Sequence, residues 1–563
     1  MLDRRFVIFL TLCAMVAACG GGGGSSSTLP SPEWSQFRSN TTRTGSFGGS
    51  LLLNRGAVRF AAVDDAEPLS PVAASAAVGA DGTIYAASLG GTLKAFSRDD
   101  LTTRWSVSEC AACCPSPASP SCDPGLGAMV SSPALFRSVD DETFVAVADL
   151  AGRVYLYSFI EEDDVPAPSC VACFAPDLSA DLGSGASASF RSSPTFTFNA
   201  VTGSLASILI GAELRAAGDT APTAGKLYAI NSDGTPRWQY PPRGRGVVGP
   251  ISSSPSIALG QSVVVADGND VIHILTRDGA LRRQISVAGM TADDAFLQPT
   301  IVSSVSLLVG TSLGDVYAFN QDGSFRWATS LADHRFLGSL AVGIKADPTP
   351  ESEPTADPSA TPTPTADPNE PTPTPTPTPT TSSEFSTVMG VSSEGAVVFI
   401  DSSNGEVVDT ALPAAALAEG ATVLGSPALS FDALVAFASS DGSIFNVDTG
   451  SGRPPRFCVG TPDTICTTDE DCPDDVVCGK TFWPVRLPQR CLGGGNRGEI
   501  CVDAGDCPNG VCQPASVRSS AALDSLGNII VGADDGYLYV IGATGTPAQS
   551  PTPTPSPAAT TAP

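Results

Sequence analysis

An all-β fold, an eight-bladed β-propeller of four-stranded blades, is what this sequence predicts, on three observations. First, a phrase of strand, turn and strand recurs. Its clearest copy reads Ser253-Ser-Pro-Ser-Ile-Ala-Leu259, Ser262-Val-Val-Val-Ala-Asp267, a Gly-Asn turn, Val271-Ile-His-Ile-Leu-Thr276, Arg-Asp-Gly and a last strand. Four short strands per unit, repeated at roughly 40 to 60 residues, is the arithmetic of a propeller blade. Second, apolar residues alternate at period two in the later strands, as in Gly225-Lys-Leu-Tyr-Ala-Ile230 and Gly536-Tyr-Leu-Tyr-Val-Ile541, which places those strands between neighbouring blades. Third, Asp-Gly and Asn-Gly pairs (Asp81-Gly82, Asp233-Gly234, Asp278-Gly279, Asp322-Gly323, Asn404-Gly405, Asp441-Gly442) supply the positive φ that tight hairpins need. The turn aspartates are therefore structural.

In chain order the copies open at Ala76, Pro133, Pro194, Pro255, Pro299, Ala341, Pro427 and Ala521, usually after one or two serines. The last copy stops after three strands, near Ile541 to Gly545, while Ala57-Val-Arg-Phe-Ala-Ala-Val63 is an orphan strand ahead of the first copy. The N-terminal strand is expected to complete the final blade, closing the ring and removing an open edge.

Three fourth strands end in tryptophan: Leu101-Thr-Thr-Arg-Trp105, Thr235-Pro-Arg-Trp238 and Ser324-Phe-Arg-Trp327. The fourth blade has Gln284 near that position. A Gly-x-Leu-Tyr-Ala-Ile strand, an Asn-x-Asp-Gly turn and a blade-closing tryptophan (Trp105, Trp238, Trp327) resemble the blade of pyrroloquinoline-quinone-type (PQQ-like) propellers. That family includes quinoprotein dehydrogenases and the propeller lipoprotein of the outer-membrane barrel-assembly machinery. The resemblance covers most of residues 34–545, including the opening Trp34-Ser-Gln-Phe-Arg-Ser-Asn40 and Arg43-Thr-Gly45. It implies the fold and leaves two activities open, a protein-binding scaffold and a dehydrogenase carrying PQQ and calcium.

Before the propeller, Arg4 and Arg5 precede an apolar run from Phe6 to Val16 and then Ala17-Ala-Cys19. Residues 1–19 read as a lipoprotein signal peptide with Cys19 the lipidated residue, and 20–33 as a Gly/Ser tether. The run is too short for a membrane span. Gly20 follows the cysteine where inner-membrane retention would favour Asp, so the outer membrane is the expected location, on either its periplasmic or its cell-surface side. Residues 546–563 form a Pro/Thr-rich tail expected to be disordered, and 348–383, of the same composition, interrupts the first hairpin of blade six.

Sixteen cysteines agree with export. With Cys13 lost in the signal and Cys19 lipidated, fourteen remain, an even number, as a disulfide framework requires. Six are early (Cys110, Cys113, Cys114, Cys122, Cys170, Cys173), in insertions 106–128 and 161–189. Eight are late (Cys458, Cys466, Cys472, Cys478, Cys491, Cys501, Cys507, Cys512), in a duplicated insertion 453–515 whose halves each carry Asp-Cys-Pro. With almost no apolar core, each half is expected to hold itself together by two bridges. The pairs Cys110/Cys113 and Cys170/Cys173 have the spacing of a four-thiolate zinc site, against which an oxidising compartment argues. Related alcohol dehydrogenases carry a vicinal disulfide over the quinone, but the adjacent Cys113 and Cys114 lie in a Cys- and Pro-rich insertion and are expected to pair with Cys110, Cys122 or the blade-two cysteines.

All the Cys-rich insertions are expected in fourth-strand connections, on the same face as the second-to-third hairpin insertion 213–224. The Pro/Thr loop falls opposite. Long insertions on a rigid ring are where binding usually lives.

A net charge of −28 and a pI near 4.3 argue against nucleic acid and anionic lipid surfaces as partners. Catalytic groups are few. His273 alternates with apolar neighbours in a strand and His334 sits at a blade junction, both reading as buried or capping residues. The Ser-Ser-Pro serines lack a partner base, and no phosphate-cradling glycine motif follows a strand. No catalytic residue, metal ligand or cofactor contact is assigned. The expected function is a lipid-anchored, non-catalytic scaffold that binds envelope or surface proteins through the Cys-decorated face and needs no cofactor. The alternatives are a PQQ/calcium-dependent dehydrogenase and a surface adhesion or carbohydrate-binding lipoprotein.

Overall fold

A computed structural model describes residues 35–542, except 38, 41–56, 65–68, 111–124, 139–141, 161–167, 200–203, 259–261, 288–289, 291–293, 302–305, 321, 332–333, 344–386, 412–416, 431–433, 449–455, 459–460, 467–477, 480–481, 493–495 and 497. The signal peptide with Cys19, the tether, the Pro/Thr loop, the tail and Cys113, Cys114, Cys122 and Cys472 lie outside the described residues.

Among the described residues, seven antiparallel sheets have four strands and one has five. The first sheet pairs Ala77–Val78, Ile84–Ala87, Leu93–Phe96 and Thr103–Val107 in chain order. The same meander repeats over residues 134–174, 187–240, 256–286, 300–330, 341–411 and 428–486. The third sheet gains its extra strand, Ser187–Ser189, because Leu205–Arg215 is long enough to pair with it beyond Thr195–Phe198. The eighth sheet takes three strands from the C-terminal end (Ala522–Leu523, Ile529–Gly532, Tyr537–Gly542) and its outer strand, Ala57–Ala62, from the other end of the chain. The register runs from Ala57 opposite Gly542 to Ala62 opposite Tyr537.

The middle strands Ile84–Ala87 and Val263–Ala266 are buried on both faces, because the first sheet packs against the second and the eighth and the fourth against the third and the fifth. Small and β-branched residues suit that close stacking. Tyr85 and Leu93 of the first sheet share a cluster with Val145 and Tyr155 of the second. Val78 and Ile84 of the first sheet share another with Leu434 of the seventh and Ile530 and Val540 of the eighth.

The serines that open the repeats form a hydrogen-bonded belt. The amide of each belt serine donates to the side chain of its counterpart in the next sheet: Ser75 to Ser132 (3.0 Å), Ser132 to Ser193 (3.0 Å), Ser193 to Ser254 (2.9 Å), and Ser254 to Gln298. Ser339 donates to Ser426, Ser426 to Ser520 and Ser520 back to Ser75, each at 2.9 Å. The last bond joins residues 445 positions apart. The preceding serine acts locally. Ser253 Oγ bonds both the amide and the carbonyl of Ala266, and Ser519 Oγ both those of Gly532. Hydroxyls fit here because one group can donate and accept at once.

The Arg-Trp pairs of the outer strands work between and within sheets. Trp238 donates its indole N–H to Arg277 O (3.1 Å) in the hairpin of the next sheet, and Trp327 does the same to Ser402 O (3.0 Å). Trp105 packs on Phe159 of the second sheet, with ring centroids 5.7 Å apart. The arginine before each tryptophan turns back to its own sheet: Arg104 to Asp81, Arg237 to Ala206 O, Arg326 to Ser306. In the fourth sheet Gln284 lies near the tryptophan position, as expected. The register puts its neighbour Arg283, opposite Ile274 just before the bulge, where Trp238 and Trp327 stand opposite Ala229 and Ala318 before the same bulge.

Two insertions sit differently from their expected places. Cys170 and Cys173 belong to Ser169–Phe174, the fourth strand of the second sheet, so only residues 175–186 form the connection to the third. The late Cys-rich segment is split. Strands Arg456–Cys458, Thr461–Cys466 and Cys478–Gly479 make a small sheet before the seventh sheet's fourth strand, Phe482–Arg486, whereas Gln489–Leu492, Ile500–Cys501 and Val511–Pro514 make another after it. The halves therefore leave from opposite ends of the seventh sheet. The expectation that both follow the fourth strand fails because the pairing of Phe482–Arg486 with Ser443–Asp448 spans a gap with no turn signal to announce it.

Candidate functional site

Connections that leave a fourth strand lie beside the second-to-third hairpins, and backbone hydrogen bonds tie the two sets together: Leu150 N to Ala128 O, Ser312 N to Ala295 O, Ser440 N to Thr422 O and Asp534 N to Ser516 O, at 2.8–2.9 Å. Three elaborations share this side, and each is pinned by a different chemistry.

The connection after the first sheet is fastened by a disulfide from Cys110 to Cys170, with Cα atoms 5.3 Å apart, and Cys173 is disulfide-bonded as well. Bonded sulfurs offer no thiolates, so Cys110, Cys170 and Cys173 are not free metal ligands.

The connection after the second sheet carries a single helical turn, Ser179–Leu182, held by a buried ion pair. Lys226 Nζ lies 3.1 Å from Asp181 Oδ2, and both side chains are 0% exposed. Lys226 also donates to Pro241 O (2.9 Å), and Gly244 N donates to Asp181 Oδ1 (2.9 Å). Buried charges persist only with such additional partners. Arg243 pairs with Asp177 at the rim, and hydrogen bonds from Ser179 hold the Asp177 carboxyl below its ordinary range.

The connection after the seventh sheet is the second half of the late Cys-rich segment. Cys491 bonds Cys507 and Cys501 bonds Cys512, and these four sulfurs are its apolar core. Arg490, 4% exposed, reaches from it into the eighth sheet. Its guanidinium carbon stands 3.7 Å from the Tyr537 ring centroid and 4.6 Å from that of Phe60, and Nε is 3.0 Å from Asp535 Oδ2. Burial pushes the Asp535 carboxyl up, against the pull of Tyr539 and Arg490. Burial would lower Arg490, but Tyr539, Tyr537 and Asp535 outweigh it and raise the guanidinium instead. Of the first half's cysteines, Cys458, Cys466 and Cys478 lie on described strands, with Cys458 opposite Cys478.

His273 is buried, with Nε2 2.9 Å from Asp267 Oδ2 and Nδ1 3.1 Å from the Tyr240 hydroxyl of the preceding sheet. Asp267 also accepts from the amides of Gly249, Asn269 and Val271, so the group ties sheets together and caps a turn. Burial opposes ionisation of Asp267, but the bond and charge of His273 prevail and lower its pKa. His334 contributes backbone, its amide donating to Leu331 O at 2.7 Å. The lead-in segment reaches an inner edge: Leu135 N, in the second sheet's first strand, donates to Ser35 O (2.6 Å), and Gln36 is 3% exposed. Sequence reasoning does not reach the roles of Arg59, Lys226 and Arg490. Their one signal is a cation inside or beside an apolar strand.

The fold and this face define an all-β protein of the propeller class, with disulfide-fastened elaborations. Residues 199–350 match a family model described as outer membrane protein assembly factor BamB, so this stretch carries the PQQ-like propeller repeat. No curated protein matches. Among solved structures, the chain is similar to BamB from Moraxella catarrhalis (12% identity, 85% of this chain and 99% of that one, TM-score 0.43). It is also similar to Sqt1 of Saccharomyces cerevisiae (11% identity, 87% and 99%, TM-score 0.47) and to the WD40 β-propeller domain of Doa1 (13% identity, 71% and 88%, TM-score 0.37).

Proposed function

We propose that the eight sheets are eight blades of one ring, closed by Ala57–Ala62 as the fourth strand of the last blade, and that this ring is a non-catalytic, lipid-anchored scaffold for envelope or surface proteins. The closed ring is supported by the apolar cluster joining sheets seven, eight and one and by the bond from Ser520 to Ser75. It is supported also by Arg59, which donates to Arg98 O and Asp99 O of the first sheet much as Trp238 and Trp327 donate to the sheets after them. In such a ring the free edge that receives Ser35 faces the central axis, and the lead-in occupies that position.

The observation that carries the scaffold reading is the fastening of three separate elaborations to one side, by a disulfide, a buried ion pair and a buried arginine. Rigid loops on a rigid frame lose little entropy on binding. The bridges Cys110–Cys170, Cys491–Cys507 and Cys501–Cys512 support a working compartment outside the reducing cytosol. Anchoring through Cys19 and an outer-membrane location complete the proposal.

The test is site-specific photo-crosslinking in intact cells from Val502, which is 85% exposed on this side, and from Asp278, on a third-to-fourth hairpin of the other. The reading predicts a discrete adduct from Val502 that Asp278 does not give. Adducts from Asp278 alone, or saturable uptake of PQQ with calcium by the purified oxidised protein, would contradict it.

A further inference from the structure

The half-module of residues 489–514 does more than decorate the face. Arg490 touches both strands at which the two ends of the chain meet: Phe60 on Ala57–Ala62, and Tyr537 and Tyr539 on Tyr537–Gly542. Phe60 packs edge-on against Tyr537, centroids 5.6 Å apart, so the guanidinium covers an aromatic pair that straddles the seam. Asp535, which accepts the Tyr537 amide (3.1 Å) and the Tyr539 hydroxyl, also accepts from Nε of the guanidinium. Nη1 donates back to Gly498 O of the module at 2.9 Å.

Arg490 immediately precedes Cys491, and its strand is the middle one of the module's three. Among the described residues the sulfurs are the module's core, so reduction removes the cross-links that hold that strand in place. We propose that residues 489–514 are a redox-dependent clasp on the chain-end seam. Oxidised, the module holds Arg490 over Phe60 and Tyr537. Reduced, it releases Arg490, and the strand Ala57–Ala62 opens more often. Each disulfide opened takes two electrons and two protons from a dithiol, which becomes a disulfide while two cysteine thiols form. The inference does not depend on what the face binds.

The test is hydrogen exchange of the full chain, followed in residues 57–62 and 537–542 with residues 387–391 of the sixth sheet as reference. The samples are the oxidised protein, the protein treated with dithiothreitol, the Cys491→Ser/Cys501→Ser/Cys507→Ser/Cys512→Ser variant, and Arg490→Met, which keeps the disulfides. A Cys110→Ser/Cys170→Ser variant controls for loss of the other bridge. Exchange in 57–62 is expected to quicken by about tenfold or more in the reduced, four-serine and Arg490→Met samples, with the reference segment unchanged, and to recover on reoxidation. Unchanged exchange in 57–62, or an equal rise in the reference segment or in the control variant, overturns the clasp.

Discussion

Replacing Gly279 by alanine separates two costs that the structure assigns to different atoms. Gly279 has φ +80°, and a Cβ there would lie 2.5 Å from Cε3 of Trp238, the side chain that docks from the preceding sheet. Gly218 has φ +92° and nothing within 4 Å of a Cβ. Alanine at Gly218 therefore bears only the left-handed backbone, about 1 to 2 kcal/mol. Alanine at Gly279 bears that and also displaces Trp238, losing the indole bond to Arg277 O, about 1 kcal/mol, and part of the indole's burial, about 1 to 2 kcal/mol more. The difference, about 2 to 3 kcal/mol, is a factor of roughly 30 to 150 in local opening. Hydrogen exchange in the strands Pro236–Tyr240 and Leu281–Ser286, with urea unfolding alongside, reads it directly. Equal behaviour of Gly279→Ala and Gly218→Ala would refute the docking argument.

Two further predictions follow the same reasoning. Arg59→Met removes two charge-assisted bonds, to Arg98 O (2.7 Å) and Asp99 O (2.6 Å), and is expected to weaken the seam by about 2 to 4 kcal/mol. Faster exchange in residues 57–62 but not in 387–391 is the expected readout, and no change contradicts it. Asp233 and Asp322 are held below their ordinary 3.8 by bonds from Thr235 and Ser324. A depressed carboxyl stabilises above its unfolded pKa, and that contribution is lost as pH falls through the folded value. The Asp233→Asn/Asp322→Asn variant should therefore show a shallower loss of urea midpoint below about pH 4 than the parent; parallel curves would contradict this.

The repeat was legible because blade scaffolding is local chemistry. Asp-Gly turns, alternating strands and Arg-Trp endings each have a period that survives in one dimension. The serines were visible as punctuation, but their belt was not, since Ser520 and Ser75 are neighbours only once the chain has turned through every sheet. For the same reason Arg490 was unreadable: its partners Phe60 and Tyr537 come from the two ends of the chain. The split of the late Cys-rich segment was hidden by its internal duplication, which reads as one insertion although a strand of the seventh sheet, Phe482–Arg486, runs between its halves.

A paired-cysteine trap asks whether Ala57–Ala62 closes the ring. Val58 lies directly opposite Ile541. Directly opposed antiparallel residues have Cα atoms within about 4.5 to 5.5 Å, inside the span a disulfide bridges. A Val58→Cys/Ile541→Cys variant should yield, in near-full occupancy and with the monomer retained, a peptide pair linked through the two introduced thiols of one molecule. Two freely titrating thiols at these positions in the folded protein, or linkage only between molecules, would contradict the closure.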